Sequence, residues 1–106
     1  MGESSGAILT HAEVREHLAL LPGWRLEPDG KVLARDYRFV SFPAALSFMT
    51  LVAARCELMN HHPEWTNIHE RVHVRLSTHD LGGVTRMDLA LADHMDEMVA
   101  RLGSEA

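Results

Sequence analysis

The chain has 106 residues, 46% of them hydrophobic and 24% charged, which is the composition of one folded domain with no room for a second. Ten basic residues against fifteen acidic ones give a net charge of −5 with histidine neutral; a nucleic-acid backbone binder, which needs clustered Lys and Arg, is excluded. Cys56 is the single cysteine, which excludes an intramolecular disulfide and a cysteine-based zinc finger. In chain order, residues 1–7 read as a flexible tail and 8–106 as the domain. Met1–Gly6 has neither the basic nor the apolar stretch of a signal peptide, and no apolar run approaches the roughly 18 residues of a membrane span. The expectation is a soluble, cytoplasmic protein.

Thr10 and Glu13 form a capping box, with Leu9 placed to staple onto Val14. Val14, Leu18 and Leu21 make one apolar stripe, and Pro22-Gly23 should end this helix. Trp24–Glu27 and Lys31–Val40 read as strands around the Pro28-Asp29-Gly30 turn. Ser41 is an N-cap for a helix over 42–59, with Leu46, Met49, Val52, Ala53 and Cys56 as its buried face. Phe48 and Leu51 widen that stripe, so the helix should be covered on a second side. Pro63 stops the helix before residue 62. Trp65–His69 and Val72–His79 read as strands around a turn at Glu70-Arg71, with Val72, Val74, Leu76 and Thr78 on one face. Thr85 and Asp88 form a second capping box, opening a helix closed by Gly103. Its stripe is Leu91, Ala92, Met95, Met98, Val99 and Leu102. The string α-ββ-α-ββ-α predicts an α+β fold: a single antiparallel four-stranded sheet with three helices on one face.

Five of the eight histidines fall between His61 and His79. If the last two strands pair as a hairpin, His61, His62 and His79 converge at one end of the sheet. Imidazole is the side chain that both donates and accepts protons near neutral pH, so three around one pocket suit proton transfer at two ligand positions. Trp65 offers an apolar wall or stacking face, and Glu57, one turn before His61, can orient an imidazole. His11, His17, His73 and His94 read as surface residues, and Met87, Met95 and Met98 as core filler. Asp88 reads first as a charge complementing the helix dipole. A zinc or iron site on His69, His73, His79 and a carboxylate is the sharper rival.

Glu57-x-x-x-His61-His62-Pro63-Glu64-Trp65-x-Asn67, followed by Leu76-Ser77-Thr78-His79 and then Asp88, resembles the pterin-4a-carbinolamine dehydratase family. The likeness runs from about Leu21 to Leu102 and includes Asp29-Gly30-Lys31, Phe39 with Phe42, and Phe48-Met49-Thr50. It implies a homodimer or homotetramer that dehydrates 4a-hydroxytetrahydropterin to quinonoid dihydropterin with no metal and no organic cofactor. The resemblance puts the three catalytic histidines on His61, His62 and His79. It puts the substrate-binding residues on Asn60, Pro63, Trp65, Ser77, Thr78 and Asp80, with Glu57 and Asp88 in support. Ser77 and Thr78 would orient the flat pterin. His61 and His79 would protonate the departing 4a-hydroxyl, and His62 would bind and take the ring N–H proton. His69 departs from the family pattern, which usually carries Tyr there. A dimerisation cofactor for a transcription factor, without enzymatic activity, is the alternative the family offers.

Overall fold

A computed structural model describes residues 7–102. The elements are α1 (His11–Leu18), β1 (Arg25–Leu26), β2 (Leu33–Arg38), α2 (Phe42–Met59), β3 (Glu64–Ile68), β4 (Arg71–Leu76) and α3 (Arg86–Leu102). The four strands form one antiparallel sheet in the order β1-β2-β4-β3. This is the α+β class the patterning predicts. The tail before Ala7 and the Gly103 cap lie outside the described residues.

The caps form as their residue types require. The Glu13 amide donates to Thr10 Oγ1 at 3.1 Å, and the Thr10 amide donates to Glu13 Oε1 at 2.8 Å. The Ala44 amide donates to Ser41 Oγ at 3.2 Å, with Pro43 in the first turn of α2. Asn60 ends α2 in the left-handed region at φ 54°, where asparagine is tolerated. Several boundaries differ from expectation: β1 and β2 are shorter than the runs 24–27 and 31–40, and β4 ends at Leu76 rather than at His79. α1 stops at Leu18, because the Leu20 and Leu21 amides turn back tightly onto the His17 and Leu18 carbonyls before Pro22 is reached. The last hairpin turns at His69-Glu70, since Ile68 pairs with Arg71. The Asn67 side chain fixes that turn by donating to the carbonyls of His69 and Arg71, at 3.0 and 2.9 Å.

β4 carries the clean alternation. Val72, Val74 and Leu76 are fully buried, while His73 and Arg75 stand on the open face. α2 lies rotated from its expected setting. Ala45, Phe48, Val52 and Cys56 are buried, whereas Leu46, Leu51 and Ala53 are exposed. The sequence does not choose the face here, because α2 is apolar nearly all round. Its 18 residues have a mean hydropathy of 1.3, long and apolar enough to cross a membrane by length and composition. That corrects the expectation that no run comes near this length. The buried quarter of α2 nevertheless packs into the same core as the sheet valines. Leu102 is exposed rather than part of the α3 stripe.

Arg35 interrupts the apolar pattern of β2 for a reason found on α3. Asp96 Oδ1 accepts from Trp24 Nε1 at 3.0 Å, from Arg35 Nη1 at 3.0 Å and from the Tyr37 hydroxyl. Arg35 also lies over the Tyr37 ring, 4.4 Å from its centroid. Burial, and then the Asp96 carboxylate, push the Tyr37 hydroxyl pKa well above the usual phenol value. A Cβ at Gly23 would sit 2.2 Å from Arg35 Cζ, so glycine there makes room for the guanidinium.

Two of the four expected surface histidines are engaged. His17 Nε2 pairs with Asp93 at 3.0 Å, and His73 Nδ1 with Asp36 at 2.6 Å. His94 on α3 has a buried Nε2 with no hydrogen-bond partner among the described residues. Burial holds its pKa below the ordinary imidazole value, and Arg55 of α2 and then Arg101 add to that against Glu97. The unfolded chain therefore binds more protons than the folded one once pH drops below about 6.5. Stability present above that pH is lost as pH falls toward the depressed folded value. Thermal melts at about pH 7.5 and 5.5 should show a larger loss of Tm on acidification in the native protein than in His94→Gln. Equal losses would show that His94 does not report on this pH range.

Candidate active site

Three segments distant in sequence meet where α2 ends, β4 ends and α3 begins. Glu64 pairs with Arg75 across the β3–β4 hairpin. The residues just before β3 and just after β4 are therefore neighbours. The left-handed Asn60 turns the chain out of α2, and the His61 amide donates to the Cys56 carbonyl at 3.1 Å. Beyond β4, the Thr78 amide donates to the Gly83 carbonyl at 2.8 Å and closes the 79–82 loop. A cavity of about 240 Å³ opens between these segments. Asn60, His61 and His62 line it on one side, and Ser77, Thr78, His79 and Asp80 on the other.

His61 is buried and Asp88 is completely so. His61 Nε2 donates to Asp88 Oδ1 at 2.5 Å, which leaves Nδ1 as the free ring nitrogen. Asp88 Oδ2 accepts from Thr78 Oγ1 and from the Thr85 amide, each at 2.9 Å. Thr78 Oγ1 lies 2.8 Å from Thr85 Oγ1, which in turn accepts from the Met87 amide at 3.3 Å. A consistent donor order runs Met87 amide to Thr85, Thr85 to Thr78, and Thr78 to Asp88. The carboxylate expected mainly as a helix-end charge thus caps α3 and fixes the His61 ring together. Thr85, also fully buried, belongs to this network; the sequence marks it only as an N-cap.

The other two imidazoles sit differently. His62 Nε2 pairs with Glu57 Oε2 at 2.8 Å, with both side chains more than half exposed. Glu57 therefore orients His62, five residues away, rather than His61. His79 is exposed and makes no side-chain hydrogen bond among the described residues. Ser77 Oγ donates to the Lys31 carbonyl at 2.8 Å.

Pro63 and Trp65 do not line the cavity. Trp65 stands opposite Val74 on the helix-covered side of the sheet and is half-buried against the core. Its size and position in the motif point to a wall; the pleat turns it inward instead. The metal alternative fails on placement. His69 occupies the hairpin turn at φ 52°, His73 is paired with Asp36, and His79 lies past the far end of β4. At roughly 3.3 Å per residue, a strand keeps His73 and His79 far apart. His69 is equally remote from the cavity, so its departure from the family's usual Tyr does not touch the site.

The fold and the histidine cavity together define a small α+β protein of the pterin dehydratase class. The family described as Pterin 4 alpha carbinolamine dehydratase matches residues 7–98, and the chain belongs to it. A relative from Afipia carboxidovorans, provisionally named a pterin-4-alpha-carbinolamine dehydratase, is 45% identical over 98 residues, covering 92% of this chain and 98% of its own. A relative from Opitutus terrae with the same provisional name is 48% identical, covering 86% and 93%. The crystal structure of a transcriptional coactivator/pterin dehydratase from Brucella melitensis superposes with a TM-score of 0.83 at 37% identity, covering 86% of this chain and 97% of that one. A pterin dehydratase-like RuBisCO assembly factor of the alpha-carboxysome shares the fold, with a TM-score of 0.61 at 23% identity over 72% of this chain and 88% of that one.

Proposed function

We propose that this protein removes water from 4a-hydroxytetrahydropterin to give quinonoid dihydropterin, returning the pterin for reduction to the tetrahydro form. The convergence of His61, His62 and His79 on one cavity carries the reading. In the reaction the C4a–O bond breaks and the hydroxyl leaves as water with a proton from an acid. The adjacent ring N–H loses its proton to a base, and its electron pair closes the C=N bond. His61 and His79 deliver the first proton and His62 takes the second. Asp88 supports this by holding the His61 ring through Nε2, and Glu57 does the same for His62. Asn60, Ser77, Thr78 and Asp80 hold the polar edge of the pterin. The purified protein should speed the disappearance of synthetic 4a-hydroxytetrahydropterin at neutral pH, with full activity after exhaustive chelation. Folded protein that gives only the spontaneous rate would overturn the reading.

A second role in association has one observation in its favour. Phe42, Leu46, Leu51 and Leu58 of α2 are 49%, 43%, 44% and 83% exposed, an apolar surface of the kind that marks interaction sites. The reading is a homodimer or homotetramer that covers α2. Light scattering at micromolar concentration should give a mass above that of one chain; a monomer would overturn it.

A further inference from the structure

A cavity of about 380 Å³ opens between α1 and β1 and shares no lining residue with the histidine cavity. That volume falls within the roughly 300–1,000 Å³ of small-molecule sites. His11, Arg15 and Leu18 stand at i, i+4 and i+7, so they line it from one face of α1. Leu18, Trp24 and Leu26 give it an apolar floor: Trp24 is buried, and the two leucines are half-buried against the core.

The rim above this floor holds donors that nothing else uses. Arg15 is exposed, and its guanidinium makes no ion pair or hydrogen bond among the described residues. Arg25 reaches only Asp36, through Nη1 at 3.4 Å, with both side chains more than half exposed. β1 is the outer strand of the sheet. The Glu27 amide donates to the Val32 carbonyl at 2.8 Å, which makes Glu27–Val32 and Arg25–Ala34 the hydrogen-bonded pairs. Leu26, between them, turns its amide and carbonyl to the open edge. The one carboxylate on the wall is Glu27, and both its oxygens already accept from Arg75, at 2.8 and 2.9 Å. Asp29, in the adjoining turn, lines a different cavity. Gly30 sits at φ 74°, and a Cβ there would come within 2.1 Å of His11 Nε2, so glycine lets the imidazole close this end.

The geometry points to the α1–β1 cavity as a second binding site, for a small carboxylate with an apolar body and no amino group. The body rests on Leu18, Trp24 and Leu26, and the carboxylate meets Arg15 and Arg25 at the rim. A guanidinium matches a carboxylate through two parallel N–H···O bonds, and the floor removes the apolar body from water. An α-ammonium would approach two guanidiniums with no free carboxylate to receive it. One outward amide and carbonyl on a two-residue strand are too few for a peptide to extend the sheet.

Calorimetric titration of the full chain with phenylpropionate, phenylpropionamide and phenylalanine tests this. The carboxylate should bind roughly 10-fold more tightly than the amide or the amino acid. Inorganic phosphate, which has no apolar body, should bind more weakly than phenylpropionate. Arg15→Gln and Arg25→Gln should each weaken phenylpropionate by roughly 3–10-fold and leave the amide unchanged, with melting curves that show both variants folded. In amide NMR spectra of the native protein, phenylpropionate should shift the Leu26 amide and the Trp24 indole N–H and leave the His61, His62 and His79 amides in place. The spectra need no variant, so they decide the location even if a substitution disturbs folding. No binding of phenylpropionate at millimolar concentration, equal binding of acid and amide, phosphate binding as tightly as phenylpropionate, unchanged affinity in both variants, or shifts centred on the histidines would overturn the proposal.

Discussion

His79→Ala is expected to lower kcat/KM for 4a-hydroxytetrahydropterin by roughly 10²–10⁴-fold, the usual contribution of a positioned proton donor or acceptor, and to leave Tm unchanged. The separation of the two effects follows from its setting. His79 lies on an exposed loop and makes no side-chain hydrogen bond among the described residues. Removing such a ring usually changes stability by less than about 0.5 kcal/mol. His62→Ala should behave alike, because its partner Glu57 is itself exposed and a surface pair contributes little. The comparison is stopped-flow decay of the 4a-hydroxy substrate alongside calorimetric melting. A variant within a few-fold of the native rate would place the proton transfer on other groups.

Asp88→Asn should damage both activity and stability. The buried carboxylate accepts from His61, Thr78 and the Thr85 amide. An amide of the same shape offers one acceptor oxygen and turns its NH₂ toward a donor. One buried donor left without an acceptor costs about 1–3 kcal/mol. Each kcal/mol lowers Tm by roughly 4–8 °C in a domain of this size. The His61 ring also loses the partner that holds it, so kcat should fall by up to the roughly 10²–10⁴-fold of a lost proton-transfer group. Asp88 acts through His61, and a pure stability defect would not move the pH profile of kcat. Native protein and Asp88→Asn should therefore differ in that profile at a temperature where both are folded. An unchanged profile with a merely smaller folded fraction would reduce Asp88 to a helix cap.

Much of this arrangement is legible in the sequence. Capping residues at Thr10 and Ser41 fix where α1 and α2 begin, and the period-2 run from Val72 to Leu76 fixes the face of β4. The hairpin pairing then brings His61 and His62 to His79. What escapes has physical causes. α2 is apolar on nearly every side, so periodicity alone does not give its buried face. Trp65 is assigned by its chemistry to the pocket, whereas strand parity sends it to the core. Asp96 carries the one signal that local reading passes over. It stands one turn beyond Ala92 on the stripe that also holds Asp88, and a carboxylate at a core position implies donors facing it. Arg35, Tyr37 and Trp24 are those donors, and their sequence distance hides the pairing.

The tie between His61 and Asp88 also orders events in time. A ribosome makes the imidazole first and its carboxylate 27 residues later. At typical elongation rates of about 5–20 residues per second, that is a gap of roughly 1–5 s. Until Asp88 is made, the imidazole has no acid to hold it. Thr78 likewise waits for Thr85 and Asp88. The cavity becomes complete only when the start of α3 docks. An unfinished chain therefore lacks the His61–Asp88 tie, which forms only once the start of α3 folds against the end of α2.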